Sequence, residues 1–338
     1  MPLRAAKWQD PSGSVITAPV REYLTHPRLA ALAAVVLWGV SFVATRAVLA
    51  EISPVTLVFT RFALGTALLF ALLAFRRRKF GGGCRPAGPV PAAFTAPRDA
   101  WPALVSMGFL GVFVHHMLQA NGLALTTAIH AGWLIGVTPI WSALLAAAFL
   151  RERFGARKIA GLLLGFAGAL LVVTRGDLSP ATLSLPSTLG DFLILVSTVN
   201  WAVYSIVGRR TLARLGSARA TAFAMLAGWG MLAPVFAIRS GWTEYASLSA
   251  TGWAAVLFLG IGCSGLGYLF WYAALEKLET SRVAAFLYLE PLVTLATAAV
   301  VLREPVQPTA VAGGLLVLGG VFLVQTGGGR IGKADAGT

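Results

Sequence analysis

The 338-residue chain is 57% hydrophobic and only 12% charged, and its mean hydropathy of +0.77 excludes an ordinary water-soluble domain. A formal charge of +14 would suit nucleic acid, but the Lys and Arg residues stand in short clusters between apolar runs, with no basic face or interleaved reading motif. The charges therefore read as orientation signals for insertion into a lipid bilayer, and no nucleic-acid partner is expected.

Residues 1–28 carry Arg4, Lys7, Asp10, Arg21, Glu22 and Arg28 without an apolar core. They predict a cytoplasmic N-terminal segment and no cleavable leader. A bilayer core of ~30 Å needs ~20 mostly apolar residues per helix. Ten segments qualify: 29–49, 55–75, 102–124, 128–150, 158–174, 189–208, 218–238, 251–275, 281–302 and 308–326. Their hydrophobicity is continuous rather than alternating, which predicts an all-α integral membrane protein and not a β-barrel. Residues 80–100, rich in Gly, Pro and Ala, read as a flexible cytoplasmic loop, and 327–338 as a cytoplasmic tail. Cys84 and Cys263 are too few and too far apart for a disulfide framework or a metal site.

Orientation follows from the basic residues. With the N-terminus inside, 22 Lys and Arg fall in inner segments and only Arg175, Arg239 and Arg303 in outer loops. Both termini are therefore expected in the cytoplasm.

The last third of the chain repeats its middle. Pro139, Leu150, Arg151, Glu152, Ala160, Gly161 and Gly168 reappear 152 positions later as Pro291, Leu302, Arg303, Glu304, Ala312, Gly313 and Gly320. The first helices align at an offset of 163, through Trp38, Val40, Arg46 and Leu49 against Trp201, Val203, Arg209 and Leu212. Two copies, 29–174 and 189–326, each hold five spans. An odd number forces the second copy to enter the membrane from the opposite side, so two inverted five-helix repeats are expected.

Trp38-Gly39, Arg61, Gly122-Leu123, Pro139, Leu289-Glu290-Pro291 and the Arg-Glu steps at 151–152 and 303–304 together resemble the drug/metabolite transporter superfamily, specifically its EamA-type ten-helix members. The resemblance covers about residues 29–326. It implies a ten-helix basket around a central cavity lined mainly by the first, third and fourth helices of each half. It also implies transport of small metabolites, often export of amino acids and related compounds, without ATP hydrolysis. The chain carries no Walker A pattern, and no cofactor is expected. Ala-, Gly- and Arg-rich composition resembling bacterial members points to a bacterial inner membrane. Carriage of nucleotide sugars or lipid-linked substrates is the alternative within the superfamily. An integral membrane enzyme using His115, His116 and His130 is the remote one, since no His–carboxylate spacing or metal motif accompanies them.

Glu290 is the sharpest candidate for contact with a substrate. A carboxylate near the middle of a span is costly and commonly faces a cavity or a partner, and Pro291 after it removes a helical amide hydrogen bond. Such a group suits proton coupling or recognition of an amine; a structural pair with an arginine or a helix-terminus interaction is the alternative. Thr294 and Thr297 extend its polar face, while the first-half counterpart of Glu290 is Thr138. His115 and Gln119 lie on a small, polar face with Gly108, Gly111 and Gly122, and need partners or water at that depth. Trp38, Trp201, Tyr204, Trp271 and Tyr288 lie deep in their spans, and Trp38 and Trp201 occupy matching sites. An aromatic-lined cavity accepts an apolar side chain or a cation, which favours amino acids and amphipathic cations over sugar phosphates. The expected substrate-contacting set is Trp38, His115, Gln119, Trp201, Tyr204, Trp271, Tyr288 and Glu290. Arg61 reads as structural, snorkelling or pairing with a carboxylate.

Overall fold

The computed structural model describes residues 26–80, 95–126, 128–183, 188–301 and 307–327. Most of the expected N-terminal segment and 80–100 loop, the Arg303–Glu304 step and the tail beyond Gly327 lie outside the described residues. Among those described, every regular element is helical.

Helix α1 (Pro27–Leu49) opens with proline in its first turn, where a missing amide costs nothing. Helix α2 (Pro54–Phe80) returns, and α3 (Arg98–Leu125) crosses again. The fourth apolar segment is two helices, α4 (Ala128–Ile135) and α5 (Thr138–Leu150), followed by α6 (Ala156–Thr174). The second half runs α7 (Leu189–Leu215), α8 (Ser217–Ile238) and α9 (Ala250–Lys277). Its fourth segment is again interrupted: α10 (Thr280–Ala285), a 3₁₀ turn (Phe286–Leu289) and α11 (Glu290–Val301). Helix α12 (Pro308–Thr326) closes the chain.

Eight of these helices are long and apolar enough to cross a membrane; α5 is apolar but short. Large apolar side chains such as Phe149, Leu163, Val300, Leu315 and Phe322 are more than half exposed. Outward-facing surface of that kind requires lipid. The protein is a multi-pass membrane protein.

The expected spans at 128–150 and 281–302 are each divided ahead of a proline. Pro139 and Pro291 stand at the second position of α5 and α11. Each lacks an amide and clashes with the carbonyl four residues back, so an α-helix cannot run through the junction. The breaks fall 152 residues apart and leave Thr138 and Glu290 as the first residues of their helices.

Two other departures also recur in both halves. Helix α3 widens to π geometry at Phe109–Val114, and α9 does so at Phe258–Gly267. A π turn shifts carbonyls out of the regular ladder and frees them to accept other donors.

The closing helices α6 and α12 pack against each other antiparallel. The Thr309 hydroxyl donates to the Arg175 carbonyl (2.9 Å) at one end. Gly168 then faces Gly313, Gly161 faces Gly320, and Arg157 meets Gly327 at the other end. A Cβ on Gly320 would stand 2.4 Å from the Gly165 nitrogen and 2.7 Å from the Gly161 oxygen. The backbones touch, which only small residues allow.

Candidate functional site

The cavity lies where the halves meet, with walls from α1, α2, α3, α5, α7 and α9 and the 3₁₀–α11 junction. Its inner chamber is narrow, about 70 Å³. Trp38, Arg61, His115, His116, Gln119, Thr138, Trp201, Tyr268 and Glu290 are on its walls. Phe42, Thr45, Leu123, Ile135 and Glu290 are shared with a vestibule of about 840 Å³. The vestibule reaches the surface among Leu49, Ala50, Thr126 and Arg175, the C-terminal ends of α1, α3 and α6.

The freed carbonyls of the π segments hold the wall together across the halves. Cys263 O accepts from Trp38 Nε1 (3.1 Å), Leu110 O from Asn200 Nδ2 (2.7 Å) and Gly111 O from the Tyr268 hydroxyl (2.8 Å). Tyr268 has one hydroxyl proton and gives it to Gly111, so the 2.7 Å contact with His116 Nε2 is an N–H donating to the tyrosine oxygen. His115 Nδ1 donates to Ser197 O (3.2 Å), which leaves its Nε2 unspent.

Repeat-related residues touch. His116 and Tyr268 stand 152 apart in sequence and are hydrogen-bonded. Trp38 and Trp201 stand 163 apart, and their ring centroids lie 5.3 Å from each other, edge to face. The helix contacts outside the cavity repeat likewise. A Cβ on Gly108 would meet the Ala224 carbonyl, and one on Gly260 the Arg61 carbonyl, pairs related by the same two offsets.

Two groups that ionise at bilayer depth face the chamber. Glu290 is 7% exposed, and no cation lies within 4.0 Å of its carboxylate among the described residues. Arg61 is 6% exposed; its Nε donates to Ser264 Oγ (2.9 Å) and its guanidinium lies 5.5 Å from the Phe62 ring centroid. It too has no carboxylate within 4.0 Å among those residues, so of its two structural alternatives the pairing with a carboxylate is not formed there. The polar face beyond Glu290 is spent on backbone: Thr294 donates to Gly39 O (2.8 Å) and Thr297 to Val293 O (2.7 Å).

Of the expected contact residues, Trp38, His115, Gln119, Trp201 and Glu290 line the chamber, whereas Tyr204, Trp271 and Tyr288 do not. Trp271 is fully buried one turn beyond Tyr268, its ring 5.2 Å from Trp38 and 5.8 Å from Trp201. Tyr204 backs Trp201 (5.2 Å), and Tyr288 turns towards Gly165 of α6. The side chain of His130 lies outside the described residues. The chamber also uses residues outside the expected set, namely Arg61, His116, Tyr268 and Ser41. Their signal was polarity at span depth.

The opposite face is sealed. Glu152, just past α5, accepts from the Thr280 amide (2.6 Å), the Ser281 amide (3.3 Å) and the Ser281 hydroxyl. Fully buried Lys158 bridges Glu152 (3.3 Å) and Glu279 (3.0 Å), and Arg209 ties in Thr280 and Leu278 O. Ten residues separate Thr280 from Glu290, so this seal sits roughly 15 Å from the chamber at the helical rise.

The EamA-like transporter family model matches residues 28–174 and 188–326. The chain belongs to that family. An uncharacterised transporter of Archaeoglobus fulgidus is 32% identical over 287 residues, 85% of this chain and 93% of that protein. A probable terminal-alkyne amino-acid exporter of Streptantibioticus cattleyicolor is 31% identical over 239 residues, 71% of this chain and 77% of its own length. A solved crystal structure, 21% identical, superposes with a TM-score of 0.71 over 91% of this chain and 99% of that one. It shares the fold. EamA relatives are named as transporters, and a small-molecule substrate follows for this one.

Proposed function

We propose that this EamA transporter is a secondary carrier that exports amino acids or related amphipathic compounds by alternating access. The observation that carries the reading is the chamber where repeat-related side chains meet, with a carboxyl group and an aromatic wall inside it.

Several features support ten spans in two inverted repeats. The antiparallel crossing of the repeat-related helices α6 and α12 is what a two-fold axis in the membrane plane produces. The His116–Tyr268 and Trp38–Trp201 contacts fit the same axis passing through the chamber. On this reading the split segments α4–α5 and α10–α11 are the fourth and ninth spans, and their midplane breaks match the discontinuous helices of carriers built this way. The domains are 29–174 and 189–326.

The excess of Lys and Arg on the sealed side favours both termini in the cytoplasm of a bacterial cell, with the protein in the inner membrane. The vestibule is then external. Export proceeds when the Glu152 seal opens and the vestibule closes. Trp38, Trp201, His115 and Gln119 contact substrate, while Tyr204 and Trp271 support the two indoles from behind. Glu290 receives an amine or a proton and so couples flux to pH. The likeness to an amino-acid exporter favours amino acids over nucleotide sugars, which would need several buried cations for their phosphates.

Proteoliposomes loaded with radiolabelled L-leucine or L-phenylalanine test the reading. Saturable, counterflow-stimulated efflux is expected, and Glu290→Gln should reduce it while reconstituting normally. Efflux no faster than from empty-vector membranes for both, alongside saturable movement of UDP-glucose, would reject it.

A further inference from the structure

We infer that Arg61 is the anchor for a substrate carboxylate, and that with Glu290 it makes the chamber a two-point receptor for zwitterions. The inference rests on the transport reading above and adds the residue that selects the substrate's acid group.

Arginine cannot shed its proton inside a protein. A guanidinium at bilayer depth therefore needs an anion or a set of acceptors. Arg61 has spent its Nε on Ser264, which fixes the plane of the fork. The terminal nitrogens have no protein acceptor among the described residues, yet the side chain is 6% exposed and borders the chamber. The remaining donors are set for a planar, bidentate acceptor such as a carboxylate.

The hydrogen bond to Ser264 uses Nε alone and gives the other donors of the fork no task. The contact that Arg61 makes with Gly260 uses its backbone carbonyl, which any residue supplies. The repeat-related contact, Gly108 against residue 224, is made with alanine. The other charge of the chamber departs from the repeat in the same way: Glu290 is matched by Thr138. The scaffold thus builds the same wall without either charge. Both ionisable groups stand where the repeat partner is uncharged, both face the chamber, and they form no ion pair with each other among the described residues. A ligand with an acid and an amine on one small head group satisfies both. The chamber is the narrow end of the cavity, and an apolar side chain can continue past Phe42 and Leu123 into the vestibule.

The test compares ligands on the purified wild-type protein by thermal shift and calorimetry, using L-phenylalanine, L-phenylalaninamide and phenethylamine. Phenylalanine should bind roughly 10- to 100-fold more tightly than either compound lacking the acid, the range for losing a hydrogen bond to a charged group. Arg61→Lys keeps the charge and loses the fork, so it should narrow that preference without abolishing it. Arg61→Met should erase the preference while phenethylamine binding persists. Equal affinity of all three compounds for the wild type overturns the anchor and leaves the transport reading intact. So does a preference that survives in Arg61→Met. Absence of binding by any of them, with no flux in proteoliposomes, removes both. The wild-type comparison stands even where a variant fails to fold.

Discussion

Glu290→Gln isolates one property of the chamber, because glutamine keeps the shape and an acceptor oxygen while losing the exchangeable proton. If that carboxyl couples flux to pH, wild-type efflux should change with pH and the variant's should stay flat; parallel profiles for the two would discharge it from coupling. Tyr268 carries a separate, structural load. Its hydroxyl serves Gly111 O and accepts from His116. Tyr268→Phe leaves a buried carbonyl and an imidazole N–H without partners, at about 1–3 kcal/mol for such a loss. Denaturation of detergent-purified protein should register that drop, and an unchanged midpoint would mean that water replaces the hydroxyl. At this scale sequence reading was uneven. Polarity at depth pointed to Glu290, His115 and Gln119 because lipid offers them no partner. Whether an aromatic at depth faces the chamber or backs it depends on its rotation and height on the helix. Tyr268 reaches the chamber while Trp271, one turn on, lies behind Trp38. Sequence carries no mark of that difference. Arg61 read as structural because sequence cannot show whether a carboxylate finds it.

At the scale of elements, the α6–α12 crossing and the Glu152 seal carry opposite demands. In the proposed cycle the crossing stays closed. Gly320→Ala drives a methyl into backbone of α6, and overpacking of that kind costs about 1–3 kcal/mol. Gly319→Ala, whose added carbon would sit 3.5 Å from a Leu164 side-chain carbon, is the control and should be neutral. Equal stability of the two variants would mean that the helices separate freely. The seal, by contrast, has to break in each turn of the proposed alternating-access cycle. Glu152→Gln weakens the bonds to the first amides of α10 and leaves buried Lys158 with Glu279 alone. Hydrogen exchange across 279–289 should accelerate by roughly tenfold or more, as a loss above ~1.4 kcal/mol implies, while exchange in α12 stays as in the wild type. Unaltered exchange at 279–289 would show that the seal is held elsewhere. The proline breaks were half legible: Pro291 announced a weakened helix, but only the structure shows α5 and α11 restarting at Thr138 and Glu290. The π segments were not legible, because no residue type marks a π turn as it marks a cap.

For the whole molecule, the repeat was the most readable feature, since the same residue types recur at constant spacing over both closing segments. The proposed inversion rests on the parity of the expected span count together with the basic residues, neither of which needs coordinates. Its sharpest test uses the two antiparallel helices. Asp177 and Gln307 flank α6 and α12 at one end, and Arg153 and Thr326 flank them at the other; all four are exposed. Single cysteines at these sites, in a Cys84→Ser background that keeps buried Cys263, can be probed in intact cells with a membrane-impermeant maleimide. Asp177→Cys and Gln307→Cys should label at once, and Arg153→Cys and Thr326→Cys only after permeabilisation. The pairing is the informative part. Repeats of like orientation would put Asp177 with Thr326 and Arg153 with Gln307, because equivalent helices would then run the same way. That pattern would remove the axis through His116 and Tyr268, and with it the reason for the two halves to exchange roles around one chamber.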